Sequence, residues 1–234
     1  MAEYQNLTRD LPGRCLQALE AFLPAAQTRN LDVTCILMVA TTGFTIPYEV
    51  LLKRDANDPS LALLRDAPDA SVRLRDALNA PFTKSELWPS GKFDLPASAP
   101  QAYFESRRCS LADHHVWRKG RVTWHESGNH PHTWRQWPEG VLKDDVAAAT
   151  VLSIIRNALA HGNIRTVGDP VEDIVFLSAK DAGDLKQGYR YVSMHPCDLL
   201  GVLLRWFDFL RLHRINELIP PGAIGGHESY VTQP

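Results

Sequence analysis

The chain has 234 residues, enough for one sizeable core, and 44% of them are hydrophobic against 22% charged, an ordinary globular balance. A formal net charge of −2 gives no global attraction to nucleic acid, so any such site has to be a local patch. The longest apolar stretches, Ile36 to Ala40 and Leu199 to Leu212, are interrupted or too short for the ~18 apolar residues of a membrane-spanning helix.

In chain order, residues 12 to 29 predict a first helix, with Pro12 near its start and Leu16, Leu19, Phe22 and Leu23 as its apolar stripe. Asp32 reads as an N-cap for a second helix over 33 to 52, which Pro47 should kink or break. From 55 to 137 the texture becomes irregular. Prolines recur from Pro59 to Pro100 and divide two short helical pieces, 61–65 and 72–78, with too few large apolar residues for a separate core. Residues 101 to 137 are rich in histidine and tryptophan, and Val122-Thr123-Trp124 could pair with Thr133-Trp134 as a short hairpin.

A strongly apolar helix follows, about 141 to 161, with Asp144 and Asp145 in its first turn and Gly162 as its stop. Two β-like runs, 173–177 and 189–192, flank a polar, glycine-containing connection and predict a β-hairpin. The last helix starts near Pro196 and is apolar on much of its circumference. The tail from Pro220, residues 220–234, is expected to be flexible. The expectation is a single, mainly α-helical domain over 1–234, with a small β-hairpin before the last helix and a Pro-rich, Trp/His-rich excursion over 55–137.

The most informative residues lie at the end of the helix that precedes the hairpin, in Arg156-Asn157-Ala158-Leu159-Ala160-His161-Gly162. Val151, Ile154, Ile155, Ala158 and Leu159 supply an apolar face, so the polar groups beside it need partners or a chemical task. An arginine can hold a phosphate through two hydrogen bonds and stabilise transition-state charge. A histidine, with an ordinary pKa near 6.5, can move protons at neutral pH, and a helix C-terminus favours a cation. Asn157, one turn before His161, could orient the imidazole or contact the phosphate.

Spacing alone is weak support. With 18 arginines and nine histidines, chance gives roughly 0.7 matches to R-x4-H. A second match, Arg190 to His195, runs from a strand into a loop and lacks the polar residue after the arginine. In the first match, structural roles compete with catalysis: Arg156 paired with an aspartate, Asn157 in a buried polar slot, His161 as a cap.

Arg156-Asn157-x3-His161, with the apolar helix before it and the hairpin and long helix after it, resembles the R-polar-x3-H signature of the HEPN superfamily, in particular its plasmid- and defence-associated groups. The resemblance is specific over about 141 to 215 and architectural over 12 to 52. It implies a helical bundle, and Arg156, Asn157 and His161 as the catalytic residues of a metal-independent endoribonuclease. It further implies a homodimer in which two motif helices line one cleft, and products with 2′,3′-cyclic phosphate and 5′-hydroxyl ends. A toxin or phage-defence role follows from the same resemblance, together with a possible antitoxin or regulatory partner. The alternative it leaves is a non-catalytic module that binds RNA, nucleotide or a partner protein.

The remaining candidates are weaker. Arg118 and Arg121 lie among Trp117, Trp124, Trp134 and Trp137, a mixture that can stack on and neutralise single-stranded RNA but more often packs an irregular segment onto a bundle. His114, His115, His125, His130 and His132 lack paired zinc-ligand spacings, so neither a metal site nor a cofactor is expected. The four cysteines form no C-x-x-C pair and the N-terminus is polar, so reduced thiols, no signal peptide and a cytoplasmic location are expected.

Overall fold

The structure, a computed structural model, describes residues 7–52, 68–87, 118–122, 146–179 and 189–215. In chain order these form α1 (Leu7–Gln27), α2 (Asp32–Gly43), α3 (Thr45–Leu52), α4 (Pro68–Asn79), β1 (Arg118–Val122), α5 (Ala148–His161), β2 (Ile164–Val167), β3 (Asp173–Ala179), β4 (Tyr189–Met194) and α6 (Pro196–Leu212). The fold is mainly helical, as expected. The helical piece 61–65, the partner strand 133–134, the His/Trp-rich segment apart from 118–122 and the tail from Pro220 lie outside the described residues.

The first helix buries Leu11, Cys15, Leu19 and Leu23 at a four-residue spacing. That face is rotated from the expected stripe: Leu16 only packs against the core, and Phe22 is 64% exposed. Phe22, Leu31 and Met38 instead flank a groove of about 490 Å³ between α1 and α2. Asp32 is the first residue of α2, not its cap; Leu31 occupies the cap position without a side-chain bond. The break predicted for the second helix falls at Phe44. Proline at 47 has no N–H for the carbonyl four residues back, that of Gly43, so the ladder lapses there and Pro47 sits in the first turn of α3. Gly43 is needed for packing. A Cβ there would lie 2.7 Å from a ring carbon of Phe207 and 2.8 Å from Cys15 Sγ. Its absence lets α2 approach α6 and α1.

The expected hairpin forms, with Ile174 opposite Met194, Phe176 opposite Val192 and Ser178 opposite Arg190. It is the centre of a four-stranded antiparallel sheet in the order β1-β4-β3-β2. Alternation places Ile174, Phe176, Val192 and Met194 in the main core, against α5 and its neighbours. Helix α5 starts at Ala148, later than the expected 141. Its first amide donates to the Ala80 carbonyl at 2.9 Å, and Pro81 forms a bridge with Ala147. The helix start is thus held by a distant segment; Asp144 and Asp145 lie outside the described residues. Gly162 ends α5 in the left-handed conformation (φ 67°), its N–H donating to the Ala158 carbonyl.

The last helix starts at Pro196 and is buried on nearly all sides. Its Trp206 stands edge-on to Phe44, with ring centroids 5.2 Å apart. Cys15 and Cys35 carry free thiols, that of Cys15 pushed up to about 11 by burial. Cys197 is disulfide-bonded, which corrects the expectation that all thiols are reduced. Among the described residues no helix is long and apolar enough to cross a membrane.

Candidate functional site

Helix α5 lies between α3 and the sheet. It buries Val151, Leu152, Ile154, Ile155, Ala158 and Leu159, leaving Ser153, Arg156 and Asn157 half-buried and Ala160 and His161 exposed. The polar residues at the helix margin are joined in a chain. The Arg156 side chain is only 12% exposed, and its Nε forms an ion pair with Glu49 Oε1 on α3. Arg156 Nη1 donates to Asn157 Oδ1 at 2.6 Å, and Asn157 Nδ2 donates to Ser178 Oγ on β3 at 3.1 Å. Both ends of the amide are therefore used, and the guanidinium is held from two elements. Next to it, burial pushes the Tyr48 hydroxyl up in pKa, while a hydrogen bond with Ser153 and the charge of Arg156 oppose that shift.

His161 is the last residue of α5 and makes no hydrogen bond or ion pair among the described residues. Asn157 and His161 are one turn apart and share a side of the helix. Arg156 and His161 are five residues apart, about 140° around the axis and about 7.5 Å along it. The fold thus brings Arg156 and Asn157 together, while His161 lies one turn from Asn157 and about 140° round the axis from Arg156.

Both basic residues singled out in the Trp-rich segment are in β1. Arg121 pairs in register with Arg190, which in turn lies opposite Ser178. Arg118 lies opposite Ser193, three residues away and so of the other strand parity. Register therefore puts Arg121 in the row that ends on the Asn157–Ser178 bond, and Arg118 outside it. Glu49 and Ser178 were not singled out in the sequence. Glu49 did leave a signal: it is the one charged residue from Val33 to Leu52. A lone carboxylate on an apolar helix calls for a cation.

The second R-x4-H match has a structural role. His195 caps α6, its Nδ1 accepting from the Cys197 N–H at 3.2 Å. Asp198, in the first turn and 3% exposed, has its carboxyl pushed up to about 7 by burial and by the charge of Asp173, against a hydrogen bond from the His195 N–H.

Comparison with known proteins gives one family. The model of the family HEPN pEK499 p136 matches residues 1–217. No curated protein and no solved structure matches the chain.

Proposed function

Because the chain belongs to the HEPN pEK499 p136 family, we propose that it is a metal-independent endoribonuclease whose site is built on Arg156, Asn157 and His161. The observation that carries this reading is the Glu49–Arg156–Asn157–Ser178 chain beside an exposed His161 at the helix end. Glu49 pairs with Nε of the guanidinium and Asn157 accepts from Nη1; we assign its other donors to a phosphodiester. His161 then shuttles protons between the ribose 2′-hydroxyl, the leaving 5′-oxygen and water. The 2′-oxygen attacks the adjacent phosphorus, the P–O5′ bond breaks, and the ends are a 2′,3′-cyclic phosphate and a 5′-hydroxyl.

One chain does not bring its arginine and histidine to the same side of the helix, so we place the working site at the two-fold axis of a homodimer. A toxin or phage-defence role, held in check by an antitoxin or regulatory partner, fits such an activity.

A second reading, binding of RNA, nucleotide or a partner protein without cleavage, is favoured by how deeply Arg156 is buried. RNA cleavage in EDTA separates the two. Cyclic-phosphate ends from the wild type, reduced at least about a hundredfold in both Arg156→Ala and His161→Ala, support the enzyme. Binding by a folded wild type with no cleavage leaves the second reading.

A further inference from the structure

In-line cleavage of an RNA phosphodiester needs two proton transfers on opposite sides of phosphorus. One takes a proton from the attacking 2′-hydroxyl, and the other gives one to the departing 5′-oxygen. The motif supplies one histidine per chain, and His161 lies about 140° round α5 from Arg156. It is placed to serve one side of a phosphate held by an arginine, which leaves the other side to a different group. Two titratable side chains stand beside Arg156, both on α3. Tyr48 is 6% exposed, and burial pushes its hydroxyl up in pKa, so it stays a hydrogen-bond donor. The other is Glu49.

Glu49 pairs with Nε of Arg156. Its side chain is 33% exposed against 12% for the arginine, so the carboxylate stands on the open side of the pair. A guanidinium is planar with its donors along the edges. An acid on the Nε edge and a phosphate on the remaining donors are therefore neighbours. For binding alone that is a handicap, because an anion beside the phosphate repels it. A neutral partner is already there in Asn157, which accepts from Nη1. A negative partner as well fits a chemical task.

We propose that Glu49 is the general base of the reaction. The inference rests on the ribonuclease reading and divides the proton traffic that one imidazole would otherwise carry alone. A phosphate on Arg156 brings the 2′-hydroxyl of its own ribose next to the carboxylate. A Glu49 oxygen takes that proton, the 2′-oxygen forms its bond to phosphorus, and the P–O5′ bond breaks. Protonated His161 gives its proton to the departing 5′-oxygen. Water then takes a proton from the carboxyl and returns one to the imidazole, so none is gained or lost. A carboxylate has about four lone-pair sites, so Glu49 can accept a proton and still hold Arg156. In the proposed homodimer the base and the arginine belong to one protomer and the acid to the other.

The test assays the full chain in EDTA on two substrate sets. One is dinucleotides; the other is the p-nitrophenyl esters of the four nucleoside 3′-phosphates, whose nitrophenolate leaves without a proton. Glu49→Gln keeps an oxygen for Nε and loses the base. It is expected to lower kcat at least about a hundredfold on both sets. Its KM should be unchanged or lower, since the anion beside the phosphate is gone. His161→Ala should lose as much on the dinucleotides and regain most of it on the nitrophenyl esters. Glu49→Asp, with the charge withdrawn by one methylene, should fall between wild type and Glu49→Gln. Thermal melting confirms that each variant folds.

A Glu49 that only neutralises Arg156 predicts a different pattern, because glutamine still accepts from Nε. A kcat of Glu49→Gln within about threefold of wild type overturns the base. So does recovery of Glu49→Gln on the nitrophenyl esters to the extent seen in His161→Ala. If Glu49→Gln does not fold, Glu49→Asp decides. A fall of about tenfold or more in its kcat at constant KM supports the base, and an unchanged kcat overturns it. A folded wild type that cleaves neither set ends the ribonuclease reading and the base with it. Wild-type cleavage beside a fully active Glu49→Gln removes the base alone and leaves the enzyme.

Discussion

At the scale of single residues, the Glu49–Arg156–Asn157–Ser178 chain joins polar groups from three elements, α3, α5 and β3. Arg156 and Asn157 stand out because polar side chains interrupt an apolar helix face. Glu49 and Ser178 come from elements about 107 and 21 residues away, and only tertiary packing decides which of many acids and hydroxyls meets them. Asp198 illustrates the same limit. In the sequence it is an ordinary acid in the first turn of a helix, where the dipole stabilises its anion. In the fold, burial outweighs the dipole and raises its carboxyl to about 7 from 3.8. Above about pH 4 the unfolded chain releases this proton while the folded chain keeps it. The stability this group contributes is therefore full below that point and is lost as pH rises through 7. We expect Asp198→Asn to remove a loss of about 1–3 kcal/mol between pH 4 and 8, read as a flatter profile of urea midpoints against pH. An unchanged profile would show that the carboxyl ionises at its ordinary pKa.

At the scale of elements, periodicity identified what is stabilised by its own apolar face. Helix α6 and the β3–β4 hairpin fall where helical spacing and alternation place them, with end shifts of a few residues, and α1 does so in extent but not in the face it buries. What periodicity missed depends on a neighbour. Strand β2 is four residues long and gains its hydrogen bonds from the edge of β3. The start of α5 is held by Ala80 and Pro81. Two helical glycines make the contrast measurable, since helix propensity alone favours alanine over glycine by up to about 1 kcal/mol. Gly13 on α1 has open space where a Cβ would go, so Gly13→Ala should be neutral or stabilising. Gly43 has Phe207 and Cys15 within 3 Å of that point, and Gly43→Ala should cost about 1–3 kcal/mol through overpacking of α2 against α6. Chemical denaturation of the two variants checks both signs. A stabilised Gly43→Ala would mean that α2 can shift without cost.

At the scale of the whole molecule, the proposed ribonuclease has to bring two separated side chains to one phosphodiester. In one chain Arg156 is held between α3 and α5 by Glu49 and Asn157, while His161 lies exposed about 140° further round the helix. Moving Arg156 round to His161 would break the ion pair and leave Glu49, itself two-thirds buried, without its cation, a cost on the order of a few kcal/mol. Bringing in a second copy leaves both side chains where they are. The His161 of one protomer can then face the Arg156 of the other across the two-fold axis. This arrangement has a consequence that a site within one chain lacks. Arg156→Ala and His161→Ala, each inactive alone, should regain cleavage when co-folded, because the mixed dimer retains one arginine and one histidine on opposite protomers. Random pairing makes half of the dimers mixed. With one of two functional pairs in each, about a quarter of wild-type activity is expected if both pairs work independently. Activity equal to the sum of the two inactive parents, with light scattering showing a dimer, would put the arginine and histidine back in one chain. A monomer at assay concentration would remove the composite site altogether.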